Sequence, residues 1–443
     1  MTRTPATVKR KLKNLIHEIS QDPTAYVQDP DRNFTRKSVL NFEEMVSIML
    51  RMEGKSVSHE MLEHFKYRKR TPSASAFVQQ RSKIRAKAFE TIFTRFTSSF
   101  HHNRMYNGYR LLAVDGSDLQ IATNPNDKDS FFQGTNGQKP YNLLHLNAFY
   151  DLLNNVYLDA TVEKKRLNNE IRAAASMVDR SDIHTAILLA DRGYESYNLM
   201  AHVKEKGWRF LIRIKDSCST GIASGLDLPN TDEFDLFLDM NLVRRQTRDV
   251  KSLLVNKNHY KFIPSHNSFD YLPVKNRKHD PLAEYPLPFR IVRFNISDDV
   301  FETVVTNLDP KQFPPCKLRE LYALRWGIET SFRALKYTVG LIHFHAKKVE
   351  HICQEIFARL TMYNFAELLT SNVIISATNI NLEYKVNFST AVQICRQFFL
   401  GNVSPPELET LLSRYISPIR PNRIFPRSNT KKHRASSFAY RIA

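Results

Sequence analysis

"YRLLAVDGSDLQIAT", residues 109 to 123, decides the fold. Upstream, apolar residues recur at helical spacing; from Tyr109 the period changes to that of a strand. The next segment, "YNLLHLNAFYDLLNNVYLDATVEK" (141–164), reads as two strands around a loop at Asp151–Asn155. "NNEIRAAASMVDR" (168–180) is helical, "TAILLA" (185–190) is a short buried strand, "ESYNLMAHVKEKG" (195–207) is helical and "WRFLIRIK" (208–215) is a strand. A sheet that opens with hairpin-linked strands and continues through helical crossovers is a mixed α/β layout.

The flanks differ from this body. Residues 1–105 read as helices, among them "LNFEEMVSIMLRM", "SHEMLEHFKYRKR" and a long one over 71–96 that starts with Thr71 as cap and Pro72 as first residue. The short basic turn "KYRKRTP" between the last two suggests a helix-turn-helix, although plain helical bundles share that pattern. Residues 216–316 form a mostly β insertion, with strands expected at "FDLFLDM", "HYKFIP", "FDYLPV", "FRIVRFNI" and "FETVVTNL". The α/β body, 106–215, resumes at 317–400, and 401–443 is a loop-like basic tail.

Net charge is +19, unevenly spread. Residues 1–110 hold 21 Lys/Arg against 10 Asp/Glu, and residues 401–443 hold 8 against 2, so the middle is nearly neutral. Basic ends on a neutral body suggest a polyanion held by the flanks. No apolar run approaches a membrane span or a signal peptide. Four scattered cysteines indicate neither a disulfide framework nor a zinc site and suit a reducing cytoplasm. No Gly-rich phosphate loop is present. His343 and His345, in "IHFHAKK", read as surface or DNA-facing residues, and His101-His102 as a loop pair.

Between Pro314-Pro315 and Gly340 the pattern predicts one helix. At roughly 100° per residue, Tyr322, Arg325, Glu329 and Lys336 share an arc of roughly 60°. Leu324, Ile328, Phe332, Leu335 and Val339 form the adjoining packed side. A solvated amphipathic face explains such a stripe unless the rest of the chain supplies matching chemistry.

Two aspartates supply it. Asp115 follows "LLAV" and Asp191 follows "AILLA", the strand ends where α/β sheets place chemistry. Each has an ordinary explanation: Asp115-Gly116 as a turn, Asp191 as a helix cap. Asp118 rivals Asp115 but would face the other side of a continuing strand. Three carboxylates from two strands and a helix suit a pair of Mg²⁺ ions, which take oxygen ligands and drive phosphodiester displacement. Arg325 and Lys336 beside Glu329 would hold phosphates.

The spacing Tyr-x2-Arg-x3-Glu-x6-Lys, met by Tyr322, Arg325, Glu329 and Lys336, resembles the signature of bacterial DDE-class transposases of the insertion-sequence-four family. "VDGSD" and "ADRGY" resemble that family's first and second Asp motifs, in the same order. The resemblance implies a ribonuclease H-like mixed-sheet core interrupted by a β-rich insertion and preceded by a helical DNA-binding domain. It implies Asp115, Asp191 and Glu329 as catalytic ligands of Mg²⁺, with Mn²⁺ able to substitute. Tyr322, Arg325, Lys336 and Arg192 are implied as DNA contacts. The expected partners are double-stranded DNA, as terminal inverted repeats and target, and a second copy of the chain, in a bacterial cytoplasm near the nucleoid. A catalytically inactive DNA-binding relative, or a nuclease or resolvase of the same fold, shares most of these features. Some relatives hold a flipped base with a tryptophan in the insertion; here Trp208 and Trp326 both lie outside 216–316.

Overall fold

Five helices precede the sheet in the computed structural model of the chain, which describes residues 4–134, 137–215, 221–244, 247–272, 283–297, 300–375 and 383–419. They are α1 (Pro5–Gln21), α2 (Phe42–Arg51), α3 (Val57–His64), α4 (Ala74–Arg81) and α5 (Ala86–Ser98). Side chains of Thr4, Asn41, Ser56 and Ser73 cap α1 to α4, each accepting from the backbone N–H three residues on. The long helix expected over 71–96 is thus two helices. Its start is Ser73 rather than Thr71, because the Ser73 hydroxyl reaches the Ala76 N–H. Ile84, between α4 and α5, instead forms a bridge with Val27.

The sheet follows: β1 (Arg110–Ile121), β2 (Phe131–Phe132), β3 (Tyr141–Asp151), β4 (Val156–Lys164), α6 (Glu170–Asp179), β5 (Ala186–Ala190), α7 (Tyr197–Glu205) and β6 (Arg209–Arg213). β4, β3 and β1 form an antiparallel meander; β5 then lies parallel to β1, and β6 parallel to β5. Next come β7 (Phe234–Val243), α8 (Arg248–Leu253), β8 (Tyr260–Phe262), β9 (Glu284–Ser297) and β10 (Val300–Thr306). "FDYLPV" makes no strand in its described part, Phe269–Leu272. The strands of this segment continue the same sheet, because β10 pairs antiparallel with β6. One ten-stranded mixed sheet results.

The chain closes with α9 (Pro315–Ala323), α10 (Trp326–Arg333), α11 (Val349–Thr370), β11 (Tyr384–Val386), α12 (Phe388–Leu400), α13 (Pro405–Arg414) and β12 (Ile416–Pro418). α13 corrects the loop-like reading of the tail. Ser404 and Glu407 form a reciprocal capping box, and Leu408 and Leu412 are buried. The rest of the basic tail, 420–443, lies outside the described residues. α11 is buried around most of its circumference. It is the spine against which α1, α2, α5 and α12 pack. No helix among the described residues is long and apolar enough to cross a membrane.

The two faces of β1 serve different cores. Leu112 and Val114 point to α6 and α7. Leu111 and Ala113 point to the side that holds α9, α10 and α11.

Candidate functional site

The last parallel pair between β1 and β5 is Ala113 with Leu189. Asp115 and Asp191 each stand two residues beyond that pair, and the two carboxylates are near enough to act on one another. β1 does not end or turn at Asp115. It runs on to Ile121 paired only with β3, and this parting of β1 from β5 opens the sheet at the carboxylates. Asp118 is carried to the opposite face. Two glycine amides hold the pair: Gly116 N–H donates to Asp115 Oδ1 at 2.8 Å, and Gly193 N–H donates to Asp191 Oδ1 at 2.7 Å. Asp191 therefore also caps a short 3₁₀ turn, Arg192–Tyr194.

The helix carrying the other signature residues is not uniform. Leu324, Arg325, Gly327 and Ile328 donate to carbonyls three residues back, which tightens the junction of α9 and α10. Residues Ala334–Thr338 then open into a π turn that ends at Gly340, with φ +92°. The expected single helix is corrected to three geometries in series. Gly327 marks the junction, since a Cβ there would lie 2.8 Å from Leu152 Cδ2. Leu324, expected to pack, is 42% exposed at this break, whereas Ile328, Phe332, Leu335 and Val339 are buried.

The signature side chains nevertheless converge on Asp115. Arg325 donates to Glu329 Oε1 at 2.9 Å and stacks between Tyr322 and Trp326, 5.7 and 5.0 Å from their ring centres. Lys336 donates to the Asp118 carbonyl at 3.1 Å. Burial pushes the Asp115 carboxyl up to about 6; Asp191 and Glu329 add to the rise, and Arg325 opposes it. Burial works against the Arg325 charge too, but Tyr322, Glu329 and Asp115 outweigh it and raise its pKa. Lys336 is lowered by burial and partly restored by Asp118 and Asp115. Burial lifts the Tyr322 phenol to about 12.

Tyr322 and Arg325 are 3% and 4% exposed, so the stripe is no solvated face. The Tyr322 hydroxyl and Arg325 Nε are buried without a hydrogen-bond partner among the described residues. Arg192 is exposed at the rim of a cleft of about 470 Å³ beside Asp191, with Glu195 and Lys215 across it. Among the described residues no three His, Cys, Asp or Glu side chains stand close enough to grip one ion, and Glu329 faces Arg325.

Two expectations change. His345 is buried: its Nδ1 faces Glu355 at 3.2 Å and its Nε2 the Lys55 carbonyl at 2.8 Å. His343 is half-buried in the same segment. Nor is all of the N-terminal charge offered outward. Arg51 and Arg81 are buried, and Lys9, Lys11 and Lys13 sit over Phe398, Phe100 and Phe399. The turn from Lys66 to Arg70 is exposed throughout, with Lys66 and Tyr67 at φ +54° and +55°.

Sequence reading missed a cluster behind the aspartates. His145 on β3 bridges Asp118 and Glu170, and Lys165 binds Asp118 at 2.9 Å. Burial opposes the imidazolium, but the two carboxylates win and raise its pKa. Only the polar break in the apolar run "NLLHLNAFYD" hints at it.

A model of the transposase DDE domain matches residues 106–365. Over 300 residues the chain is 22% identical to the transposase InsG for insertion sequence element IS4 of Escherichia coli (strain K12), covering 66% of this chain and 59% of that protein. A cryo-EM structure of a piggyBac transposase synaptic complex with hairpin DNA aligns with a TM-score of 0.46 at 9% identity, over 97% of this chain and 88% of that one. The matched span holds Asp115, Asp191, Glu329 and the whole signature, and the chain belongs to the transposase DDE domain family.

Proposed function

We propose that the protein is a DNA transposase that binds the terminal inverted repeats of its own insertion sequence, cuts at the element ends and joins the freed 3′-hydroxyls to target DNA. The observation that carries this reading is that Asp115 and Asp191 each stand two residues past the last pair of β1 with β5, while Asp191, Glu329 and Arg325 all act on the Asp115 carboxyl. A meander followed by two parallel strands, with carboxylates where β1 and β5 part, supports a ribonuclease H-like core.

The donor set fits Mg²⁺ or Mn²⁺ in kind: oxygen only, and crowded enough that burial and like charge lift Asp115. Asp115, Asp191 and Glu329 would hold a metal pair, Glu329 exchanging its bond to Arg325 for one. Such a pair, when bound, supplies an activated attacking oxygen and a stabilised leaving one.

The chain's own groups do the rest. Arg325 and Lys336 set positive charge beside the phosphate in a dry site, where it is worth more than in water. The unpartnered Tyr322 hydroxyl and Arg325 Nε are donors whose cost, about 1–3 kcal/mol each when unmet, a phosphate oxygen would relieve. Arg192 steers the strand entering the cleft. The exposed turn from Lys66 to Arg70 joins α3 and α4 and is suited to DNA backbone. Joining two ends calls for two copies of the chain.

The test uses supercoiled DNA carrying the gene's own flanks, Mg²⁺, and Glu329→Gln beside the wild type. Cutting at defined ends and joining by the wild type alone supports the reading. Retained DNA with no cutting by either overturns it in favour of a binding protein.

A further inference from the structure

Two glycines follow the two aspartates, and their amides hold the two carboxylates. One ion pair spans the two: His145 backs Gly116 closely, and its partner Glu170 lies beside Gly193. A Cβ on Gly116 would lie 2.2 Å from His145 Nε2, so the imidazole occupies the place of a side chain there. A Cβ on Gly193 would meet Asp191 Oδ1 first, at 3.0 Å, and Glu170 Oε2 at 3.8 Å, so Glu170 stands beside Gly193 more loosely than His145 stands behind Gly116. His145 Nε2 and Glu170 Oε1 are 3.1 Å apart, an ion-pair contact without hydrogen-bond alignment. His145 is buried, and its other nitrogen is fixed by Asp118, which Lys165 holds in turn.

From this geometry we infer that His145 and Glu170 form a strut setting the separation of Asp115 and Asp191. They are positioning residues, acting through the glycine backbones and touching neither DNA nor metal. β1 needs such a support because it leaves β5 at Ala113, so no ladder bond ties Asp115 to Asp191. Gly116 has no side chain because the ring needs its space. A metal site depends on ligand spacing, and residues that orient ligands without binding the ion typically change affinity by about 10- to 100-fold when removed.

The inference rests on the reading of Asp115 and Asp191 as metal ligands, and the experiment separates the two ideas. Amide exchange is measured first on the metal-free full chain, for wild type, His145→Ala, Glu170→Ala and His145→Gln. Both alanine variants are expected to speed exchange at Gly116 and Gly193 together, by about tenfold, with the amides of α11 unchanged. Mn²⁺ titration should then show the midpoint raised about tenfold in both, with retention of DNA in a gel unchanged and His145→Gln in between. Faster exchange at Gly116 alone, or an unmoved Mn²⁺ midpoint in a folded variant, overturns the strut. If His145→Ala loses protection in α11, Glu170→Ala decides, since Glu170 is half-exposed. A wild type that binds no Mn²⁺ sinks the proposed function; coupled exchange at the two glycines still upholds the strut, and uncoupled exchange still overturns it.

Discussion

Two clusters of buried charge in this molecule obey opposite rules. On α11, Glu355 is 1% exposed. Arg81 lies 2.8 Å from it, Arg359 3.1 Å, and the His345 backbone N–H bonds both of its oxygens at 3.1 Å. Burial alone would lift its carboxyl, yet the two guanidiniums and His345 hold it far below the usual range. At the sheet opening, burial lifts Asp115 and its neighbours are mostly of its own sign, with Arg325 the opposing cation. The first cluster satisfies its charge from within and so joins α4, α11 and the segment after Gly340 into one core. The second leaves the like charge around Asp115 only partly offset, by Arg325 and the Gly116 amide. Charge balance, more than burial, separates a structural cluster from a site.

The comparison breaks if the two clusters respond alike to losing a carboxylate. Glu355→Ala strands two guanidiniums in the interior and should cost about 3–5 kcal/mol in urea denaturation. Asp115→Asn relieves repulsion and should cost nothing, or gain stability, in the metal-free protein. Equal losses would refute the distinction.

Acid should act mainly on the first cluster. An unfolded glutamate titrates near 4.5, and folded Glu355 well below that. Its stabilisation is therefore full above 4.5 and disappears as pH falls toward the folded value. Glu355→Gln should flatten the fall in stability that sets in below pH about 4.5 and leave the limb above it unchanged. An unchanged acid limb would place the acid-sensitive group elsewhere.

Arg325 sharpens the contrast. Arg325→Gln removes the cation that holds Glu329, so Mn²⁺ should bind more tightly by roughly fivefold, the worth of about 1 kcal/mol of screened charge interaction. Cutting of DNA should fall at the same time. Weaker metal binding would mean that Arg325 orients Glu329 rather than competing for it. The smallest effect is expected from Gly327→Ala. Better helix propensity offsets contact with the movable end of Leu152, leaving stability within about 0.5 kcal/mol in thermal melts.

How much of this was legible depended on whether the signal was local. The meander, the two crossover helices and the Asp pair could be read because strand period and helix period differ over a few residues. Ser404-x-x-Glu407 is an equally local signal for the start of α13, set inside a strongly basic stretch that otherwise has the composition of a loop. Other features depend on partners distant in the chain. That β1 runs on past Asp115 was legible in the strand pattern of residues 109–123, but that β3 alone pairs with it there was not, because β3 comes some thirty residues later. Nothing near His345 says that it is buried, because Lys55 and Glu355 bury it. The π turn at Lys336 breaks no pattern rule. Net charge was readable, but its placement was not, as Lys9, Lys11 and Lys13 on phenylalanine rings show.

The packing of α5 on α11 has a consequence for the nascent chain. Ser98 and Val349 are separated by the entire sheet. At about 5–20 residues per second, translation delivers the spine on the order of ten to fifty seconds after α5 is complete. For that interval Phe89, Phe93 and Phe96 lack the helix that buries them in the finished fold. A message truncated before Val349 would release a protein with its first five helices and its sheet but without the helix on which α1, α2 and α5 all pack, a product fit for proteases and chaperones rather than for DNA.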